Sequence, residues 1–147
     1  MEDGTWVVCP RCTTRNVVPM ARLPDRPRCG RCGKPLLGGS PAVLTADNWK
    51  AHLEASSLPT VVWLCAPWSE ACAALAPDLG EAAEVLAEEC RVSVLDVESE
   101  PQVAARLEVR AVPGAVLFVG GREVARRVGP IPVEELIHWV RDRVAGR

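Results

Sequence analysis

Four of the seven cysteines stand in two Cys-x-x-Cys pairs near the start of the chain. The pairs are Cys9 with Cys12 and Cys29 with Cys32, and residues 13–28 separate them. Pairs at this spacing are typical of four-cysteine zinc sites. Because four thiolates close the coordination sphere, the spacing predicts one structural Zn²⁺ rather than a catalytic metal. Two disulfides or two redox pairs are the alternative interpretation of the same residues.

The segment around these cysteines needs such an ion in order to fold. About 35 residues cannot bury enough apolar surface to hold one structure, whereas zinc–thiolate bonding supplies roughly 10–16 kcal/mol of folding free energy. Gly30 and Gly33 suit the tight turns that bring paired sulfur atoms onto one ion. We therefore predict a small zinc ribbon over residues 1–37.

A second stretch, residues 64–77, carries a serine in a frame typical of a redox-active cysteine pair. It reads Leu-Cys-Ala-Pro-Trp-Ser-Glu-Ala-Cys-Ala-Ala-Leu-Ala-Pro. The frame is that of a Cys-x-x-Cys motif at a strand-to-helix junction, but Ser69 stands at the first sulfur position and Cys72 at the second. A hydroxyl neither ionises near neutral pH nor forms a disulfide, whereas serine caps helices well. We interpret Ser69 as an N-cap and Cys72 as a small buried residue.

Catalysis by Ser69 would need a base beside it. The two histidines, His52 and His138, lie in the first and last predicted helices and belong to no recognisable serine-base motif. Glu70, next to the turn, would place a negative charge near Cys72 and disfavour its thiolate. The sequence therefore gives little support either to serine hydrolysis or to fast thiol chemistry.

The composition limits the expected partners and location of the protein. The chain carries 17 basic and 19 acidic residues, which gives no reason to expect a nucleic acid or an anionic membrane as partner. No apolar run approaches the ~18 residues of a spanning helix. The first residues lack a basic region followed by an apolar one, so we expect no signal peptide and a reducing, cytoplasmic location.

The composition changes sharply at a glycine-rich stretch, which we predict to be a linker over residues 38–41. Helix-like and strand-like patterns alternate in the domain that follows, residues 42–147. The expected elements are a helix from an N-cap at Thr45 to about Ser56, a strand at 60–66, a helix at 69–89, a strand at 92–97, a short helix at 102–108, strands at 115–119 and 123–128, and a last helix from Val133. This order predicts an α/β sandwich whose final hairpin adds antiparallel strands.

Taken together, these features resemble those of the zinc-ribbon thioredoxins, of the thioredoxin 2 type, over essentially the full length of the chain. The features that carry the resemblance are the four ribbon cysteines, Ala66-Pro67-Trp68, Cys72, Pro77, the Val112-Pro113 pair and Gly129. The resemblance implies a thioredoxin fold, an α/β fold in which a central mixed sheet is flanked by helices, preceded here by the ribbon. It also implies a cis peptide bond before Pro113 and a loop beside the active site at Gly129.

The resemblance also implies a mode of recognition. In this family the backbone before the cis-proline pairs with an extended client peptide by strand addition, and Val112 occupies that position here. Trp68 would face the client, and it would form an apolar patch with Val112, Pro113, Gly129 and Pro130. We therefore expect protein clients or extended peptide segments as partners.

The departures from the family pattern are concentrated in the same site. They are Ser69 for the nucleophilic cysteine, Glu70-Ala71 for the usual Gly-Pro, Trp63 for a buried acid, Cys65 for a tryptophan and Gly114 for a threonine. A thioredoxin cycle needs a low-pKa thiolate at a helix N-terminus and a second thiol that resolves the mixed disulfide. We therefore expect thiol exchange in this chain to be slow or absent.

One alternative would restore a pair of sulfur atoms. Cys65 shares a strand face with Trp63, because side chains alternate along a strand. If position 63 lies behind the second cysteine of the motif, Cys65 lies near Cys72. The two can then form a disulfide, provided that their Cα atoms are within about 7 Å. Cys90, near the end of the long helix, is interpreted as a packing residue.

Three functions are compatible with these observations, and whether the chain is an enzyme stays open. The favoured one is a thioredoxin-family protein, related to protein-disulfide reductases, that binds clients or partners with little or no dithiol cycling. The second is an impaired thiol-disulfide oxidoreductase that acts through Cys72, with or without Cys65. The third is a structural adaptor that uses its zinc ribbon.

Overall fold

A computed structural model describes residues 4–145 of the chain. Within that range a two-stranded sheet comes first, and a five-stranded sheet with four α-helices follows. The elements are β1 (Gly4–Val8), β2 (Arg15–Pro19), a 3-10 turn (Met20–Asp25), β3 (Ala42–Val43), α1 (Trp49–Glu54), β4 (Thr60–Cys65), α2 (Glu70–Val85), β5 (Arg91–Asp96), α3 (Pro101–Arg106), β6 (Gly114–Val119), β7 (Arg122–Val128) and α4 (Val133–Ala145). None of these helices is long and apolar enough to cross a membrane.

The larger sheet is mixed and has the strand order β3-β5-β4-β6-β7. β3, β5 and β4 run parallel to one another, whereas β6 and β7 form an antiparallel hairpin on the other side of β4. The strand that carries Trp63 and Cys65 therefore lies at the centre of the sheet. Its carboxyl end leads directly into the turn that contains Ser69.

The two faces of this sheet are covered by different pairs of helices. Val61 and Trp63 belong to a cluster with residues of α2 and α4, whereas Val62 and Leu64 belong to a cluster with residues of α1 and α3. This division follows from the alternation of side chains along a strand. All four residues are at most 2% exposed, so β4 is buried on both faces, as its continuous apolar run predicts.

The N-terminal hairpin packs against the carboxyl end of α2. Val7 of β1 is fully buried in a cluster that includes Ala87, just beyond the end of this helix. Arg26 forms an ion pair with Glu84 in the last turn of the helix. The same carboxylate accepts the backbone N–H of Gly39 at 2.9 Å. The ribbon is thus joined to the second domain by apolar and charged contacts.

Arg91, the first residue of β5, links the same two parts. Its Nη1 donates to the carbonyl oxygen of Val8 at 3.0 Å. Burial lowers the pKa of this guanidinium to about 10. Burial and, second, the charge of Arg91 lower the pKa of His52 to about 4. Arg91 therefore brings a cation to this contact, and the pKa of His52 is low enough for that histidine to stay neutral at physiological pH.

The start of α1 differs from the prediction. The helix begins at Trp49, and Thr45 lies in a preceding turn in which its carbonyl accepts the N–H of Trp49 at 3.1 Å. The side chain of Asn48 holds this turn, since its Oδ1 accepts the N–H of Thr45 at 2.7 Å and its Nδ2 donates to the carbonyl of Val43 at 3.0 Å. Thr45 does cap this turn, since its Oγ1 accepts the N–H of Asp47 at 3.2 Å, but α1 itself begins later than predicted, at Trp49. The short strand β3 that precedes the turn was not predicted.

The end of α3 also differs from the prediction. The helix stops at Arg106 instead of residue 108, and Glu108 has a positive φ of 55°. The guanidinium of Arg126 donates to the carbonyls of Leu107 and Glu108, at 2.6 and 3.0 Å. A side chain from β7 thus satisfies the carbonyls that a longer helix would have used.

Candidate functional site

The four ribbon cysteines come together at one point. Their sulfur atoms all lie within 4.8 Å of one another, and the Sγ–Sγ distance is 3.6 Å both between Cys9 and Cys32 and between Cys12 and Cys29. A tetrahedral zinc ion with Zn–S bonds of about 2.3 Å needs sulfur atoms about 3.8 Å apart. The donor set and its spacing therefore fit a four-thiolate metal site with no open position.

The two halves of this site share one backbone geometry. In each half a backbone N–H donates to the sulfur of the first cysteine, from Arg11 to Cys9 at 3.4 Å and from Arg31 to Cys29 at 3.3 Å. Each turn ends on a residue with positive φ, Thr13 at 66° and Gly33 at 78°. The predicted need for glycine thus applies to Gly33, whereas Gly30 has no positive φ and the first turn uses a threonine.

Asn16 of β2 supports the metal site and was missed in the sequence. Its Nδ2 lies 3.6 Å from Sγ of Cys29, and its Oδ1 accepts the N–H of Gly30 at 2.9 Å. The backbone N–H of Cys32 lowers the pKa of the Cys29 thiol to about 6, whereas burial raises the pKa of Cys9 to about 11. Nothing in the cysteine spacing points to Asn16, because its role depends on the pairing of β1 with β2.

Ser69 is the N-cap of α2. Its Oγ accepts the backbone N–H of Cys72 at 3.2 Å, and Ser69 as a whole is 9% exposed. Ser69 lines a cavity, described below, that neither histidine lines. His52 is buried in α1, and His138 is exposed on α4. The hydroxyl is therefore placed for capping rather than for attack, as the sequence predicts.

Cys72 is bonded to Cys65. Their Cα atoms are 5.5 Å apart, inside the limit of about 7 Å for a disulfide. Cys72 is 3% exposed, whereas Cys65 at the end of β4 is partly exposed. Cys72 is thus buried as predicted, but its sulfur is paired with that of Cys65, which the sequence left as an alternative. Cys90, by contrast, is a free thiol buried in the core, as predicted.

A cavity of about 390 Å³ lies beside this disulfide, between α2 and the carboxyl ends of β4 and β5. We call it the sulfur cavity. Both sulfur-bearing residues line it, together with Ala73 and Ala76 of α2 and Asp96 of β5. Asp96 is the one charged residue in its lining. The opening is therefore mostly apolar and leads to the S–S bond.

Trp68 lines a separate groove next to α3, which we call the client groove, also of about 390 Å³. The indole is 65% exposed, and its Nε1 donates to Oε2 of Glu98 at 3.0 Å. Val112 lines the same groove, and the Val112–Pro113 peptide bond is cis. Pro130 lines a different depression, so the client groove does not include the whole set of residues predicted for the apolar patch.

The backbone N–H and carbonyl of Val112 are unpaired. Within the described residues, neither its N–H nor its carbonyl makes a hydrogen bond. The N–H of Gly129 donates to the carbonyl of Pro113 at 2.8 Å, and Gly129 has a φ of 103° that favours glycine. The carbonyl of Pro113 is thus held by Gly129, whereas the backbone groups of Val112, just before the proline, are unpaired.

Similar proteins are known for both parts of the chain. The family profile described as Thioredoxin matches residues 40–142, and the profile described as Thioredoxin 2, N-terminal, matches residues 8–34. Thioredoxin C-3 of Corynebacterium nephridii is 32% identical over 139 residues, which cover 91% of this chain and 92% of that protein. The chloroplastic M-type thioredoxin of Chlamydomonas reinhardtii is 26% identical over 86% of this chain and 92% of its own length.

The fold agrees with that of a solved thioredoxin. The thioredoxin Mala s 13 of Malassezia sympodialis superposes with a TM-score of 0.65 at 22% identity, over 74% of this chain and 94% of that chain. The domain bounds at 1–37, 38–41 and 42–147 stay predictions. Because the thioredoxin profile covers more than half of the sequence, and the ribbon profile covers the clustered cysteines, this chain belongs to the thioredoxin family and carries an N-terminal zinc-ribbon domain of the thioredoxin 2 type.

Proposed function

We propose that this chain is a partner-binding member of the thioredoxin family that lacks the conventional exchange cycle. The observation that carries the proposal is the state of Ser69, which is buried and occupied as the cap of α2. The turn therefore presents no sulfur at the position where the family attacks a protein disulfide. Cys72 is buried and bonded to Cys65, so a cystine held in a folded protein has no route to it.

The client groove supports the binding part of the proposal. It joins an exposed tryptophan, Trp68, to a residue with unpaired backbone groups, Val112. An exposed aromatic ring supplies contact area at low cost in conformational entropy, and free N–H and C=O groups pair with an extended chain. We infer that the partner is an extended peptide segment with an apolar side chain for the groove.

We also propose that the ribbon holds one structural Zn²⁺. The residues that would hold it are Cys9, Cys12, Cys29 and Cys32, whose sulfur spacing matches tetrahedral thiolate coordination. A bound ion would supply the cross-link that keeps the two turns together. With four protein ligands and no open position, the site has no place for a substrate. The cytoplasmic location expected from the sequence stays a prediction.

Binding to a labelled extended peptide tests the client groove. A fluorescein-labelled, carboxymethylated insulin B chain is a suitable probe, because it is extended and carries no free thiol. We expect Trp68→Ala to weaken its binding at least about tenfold, or about 1.4 kcal/mol, as measured by fluorescence anisotropy. Trp6→Ala removes another exposed tryptophan, on the ribbon, and serves as the matched control.

Two outcomes would contradict the proposal. Equal binding by the Trp68→Ala variant would exclude the client groove, and binding that depends on the ribbon alone would favour the structural adaptor. Insulin reduction provides the redox test, and we expect the wild type and Cys72→Ala both to match the background of the small thiol in the assay. Turnover above this background that disappears in Cys72→Ala would show that protein disulfides are substrates.

A further inference from the structure

The disulfide between Cys65 and Cys72 lies at a cavity that is large enough for a small molecule. Both residues line the sulfur cavity, whose volume of about 390 Å³ lies at the lower end of the range of small-molecule sites. We propose that this pair is a thiol-exchange site for small thiols and disulfides that enter through the sulfur cavity. The inference does not depend on peptide binding by Trp68, because the client groove is a separate opening.

The exposure of the two sulfur-bearing residues decides which one is attacked. Cys65 is partly exposed, whereas Cys72 is 3% exposed. An incoming thiolate attacks Sγ of Cys65, the S–S bond breaks, and its electron pair leaves on Sγ of Cys72. Cys72 lies in the first turn of a 16-residue helix, whose N-terminus favours a negative charge. This effect of the helix opposes the burial of Cys72 and the charge of Glu70, which both disfavour its thiolate, so the order of attack follows from the exposure of Cys65.

A second thiol completes the exchange. The first step leaves a mixed disulfide between Cys65 and the small thiol. The second thiolate attacks the sulfur of the small molecule in that mixed disulfide, and the electron pair leaves on Sγ of Cys65. The two cysteine thiolates take up the two protons that the small thiols released. In sum, two small thiols become one small disulfide, and the protein disulfide becomes two cysteine thiols; the reverse reaction oxidises the pair with a small disulfide.

The charge of the sulfur cavity selects among small thiols. Its one charged lining residue, Asp96, has an oxygen that accepts the N–H groups of Glu98 and Ser99 at 2.9 and 3.3 Å. Negatively charged thiols are repelled by this edge, so the substrate class is small thiols that are uncharged or positively charged.

The charge selectivity is tested with three thiols on the full-length, metal-loaded protein. They are 2-mercaptoethanol, cysteamine and 2-mercaptoethanesulfonate, compared at equal thiolate concentration, with reduction followed by alkylation and peptide mass spectrometry. We expect the neutral and cationic thiols to reduce the Cys65–Cys72 pair at least about tenfold faster than the anionic one. A pair that stays oxidised in all three, or equal rates for all three, would overturn the inference.

The direction of attack is tested with single-cysteine variants and cystamine, a small cationic disulfide. In Cys72→Ser we expect a mixed disulfide to form on Cys65, and in Cys65→Ser we expect Cys72 to react at least about tenfold more slowly, because it is buried. Faster labelling of Cys72 than of Cys65 would overturn the proposed order. Cys90→Ser, which removes a buried thiol outside the sulfur cavity, is the control for non-specific labelling.

The route is tested by closing the sulfur cavity without changing a sulfur atom. Ala76 and Ala74 are both exposed on α2, but only Ala76 lines the sulfur cavity. We expect Ala76→Phe to slow exchange at least about tenfold, and Ala74→Phe to leave it unchanged, with the same circular dichroism for both. Equal rates in the two variants would exclude this route. Loss of Trp68-dependent peptide binding with normal exchange would contradict only the proposed function.

Discussion

Cysteines are paired both in the ribbon and between β4 and α2, yet their sulfur atoms are used differently. In the ribbon, four thiols from two turns converge, and backbone N–H groups point at the sulfur atoms. In the turn, the N–H of Cys72 is taken by the hydroxyl of Ser69, and its sulfur bonds to Cys65 on the strand behind it. A Cys-x-x-Cys frame thus specifies a backbone turn, whereas the surrounding atoms decide what the sulfur does.

Removal of the metal is expected to separate the two regions most clearly. Chelation of the proposed Zn²⁺, or the variant Cys29→Ser, would remove a cross-link that contributes roughly 10–16 kcal/mol, and we expect the ribbon to unfold while the second domain stays folded. Amide resonances of the ribbon and zinc content by elemental analysis give the measurement. Cys90→Ser changes a buried cysteine outside the cluster and serves as control. A ribbon that stays folded after complete chelation would show that the four thiols are not its main support.

The folded state is expected to be sensitive to acid through His52, a buried residue of α1. Burial, and then the charge of Arg91, lower the pKa of His52 from 6.5 to about 4. The unfolded chain therefore binds this proton first, so the free energy of unfolding is highest above about pH 6.5 and falls as the pH drops toward about 4. Between these two pH values the free energy of unfolding changes by about 1.4 kcal/mol per pH unit, and the whole loss is about 3 kcal/mol.

Urea unfolding across this pH range measures the effect. We expect His52→Gln to flatten the slope, whereas His138→Gln changes an exposed histidine and leaves it intact. A slope of the same size in His52→Gln and the wild type would assign the acid sensitivity to other groups.

The smallest expected effect concerns the cap of α2. Ser69→Ala removes the oxygen that accepts the N–H of Cys72, and we expect it to lower the free energy of unfolding by about 1 kcal/mol. Ser69→Asp keeps an acceptor at the same position and should retain most of the stability. The comparison is made from the midpoints of urea unfolding, provided that the dependence of the free energy of unfolding on urea concentration is the same in all variants. An alanine variant as stable as the wild type would show that the hydroxyl is not retained for capping.

The sequence was sufficient where one local pattern determines the structure. The apolar run of β4 predicts a strand buried on both faces, and the cysteine spacing predicts a four-sulfur cluster; both are found. The disulfide between Cys72 and Cys65 could be predicted only on the condition that the two Cα atoms lie close together. They are 5.5 Å apart, on different elements. Spacing along the chain gives no such distance.

Long-range hydrogen bonds account for the remaining differences. Arg126 ends α3 by binding carbonyls that are close to it only in the folded chain. Asn16 and Glu98 hold Cys29 and Trp68 in the same way. No local pattern marks such residues, because their partners are distant in sequence.

The length of α2 has a consequence for how the molecule can be used. The helix has 16 residues, which corresponds to about 24 Å. The ribbon meets its last turn at Glu84, whereas Ser69 and Trp68 lie at its first turn. A body held at the ribbon end therefore leaves the opposite pole accessible. A peptide bound in the client groove, as proposed, would therefore not compete for space with a partner bound to the ribbon.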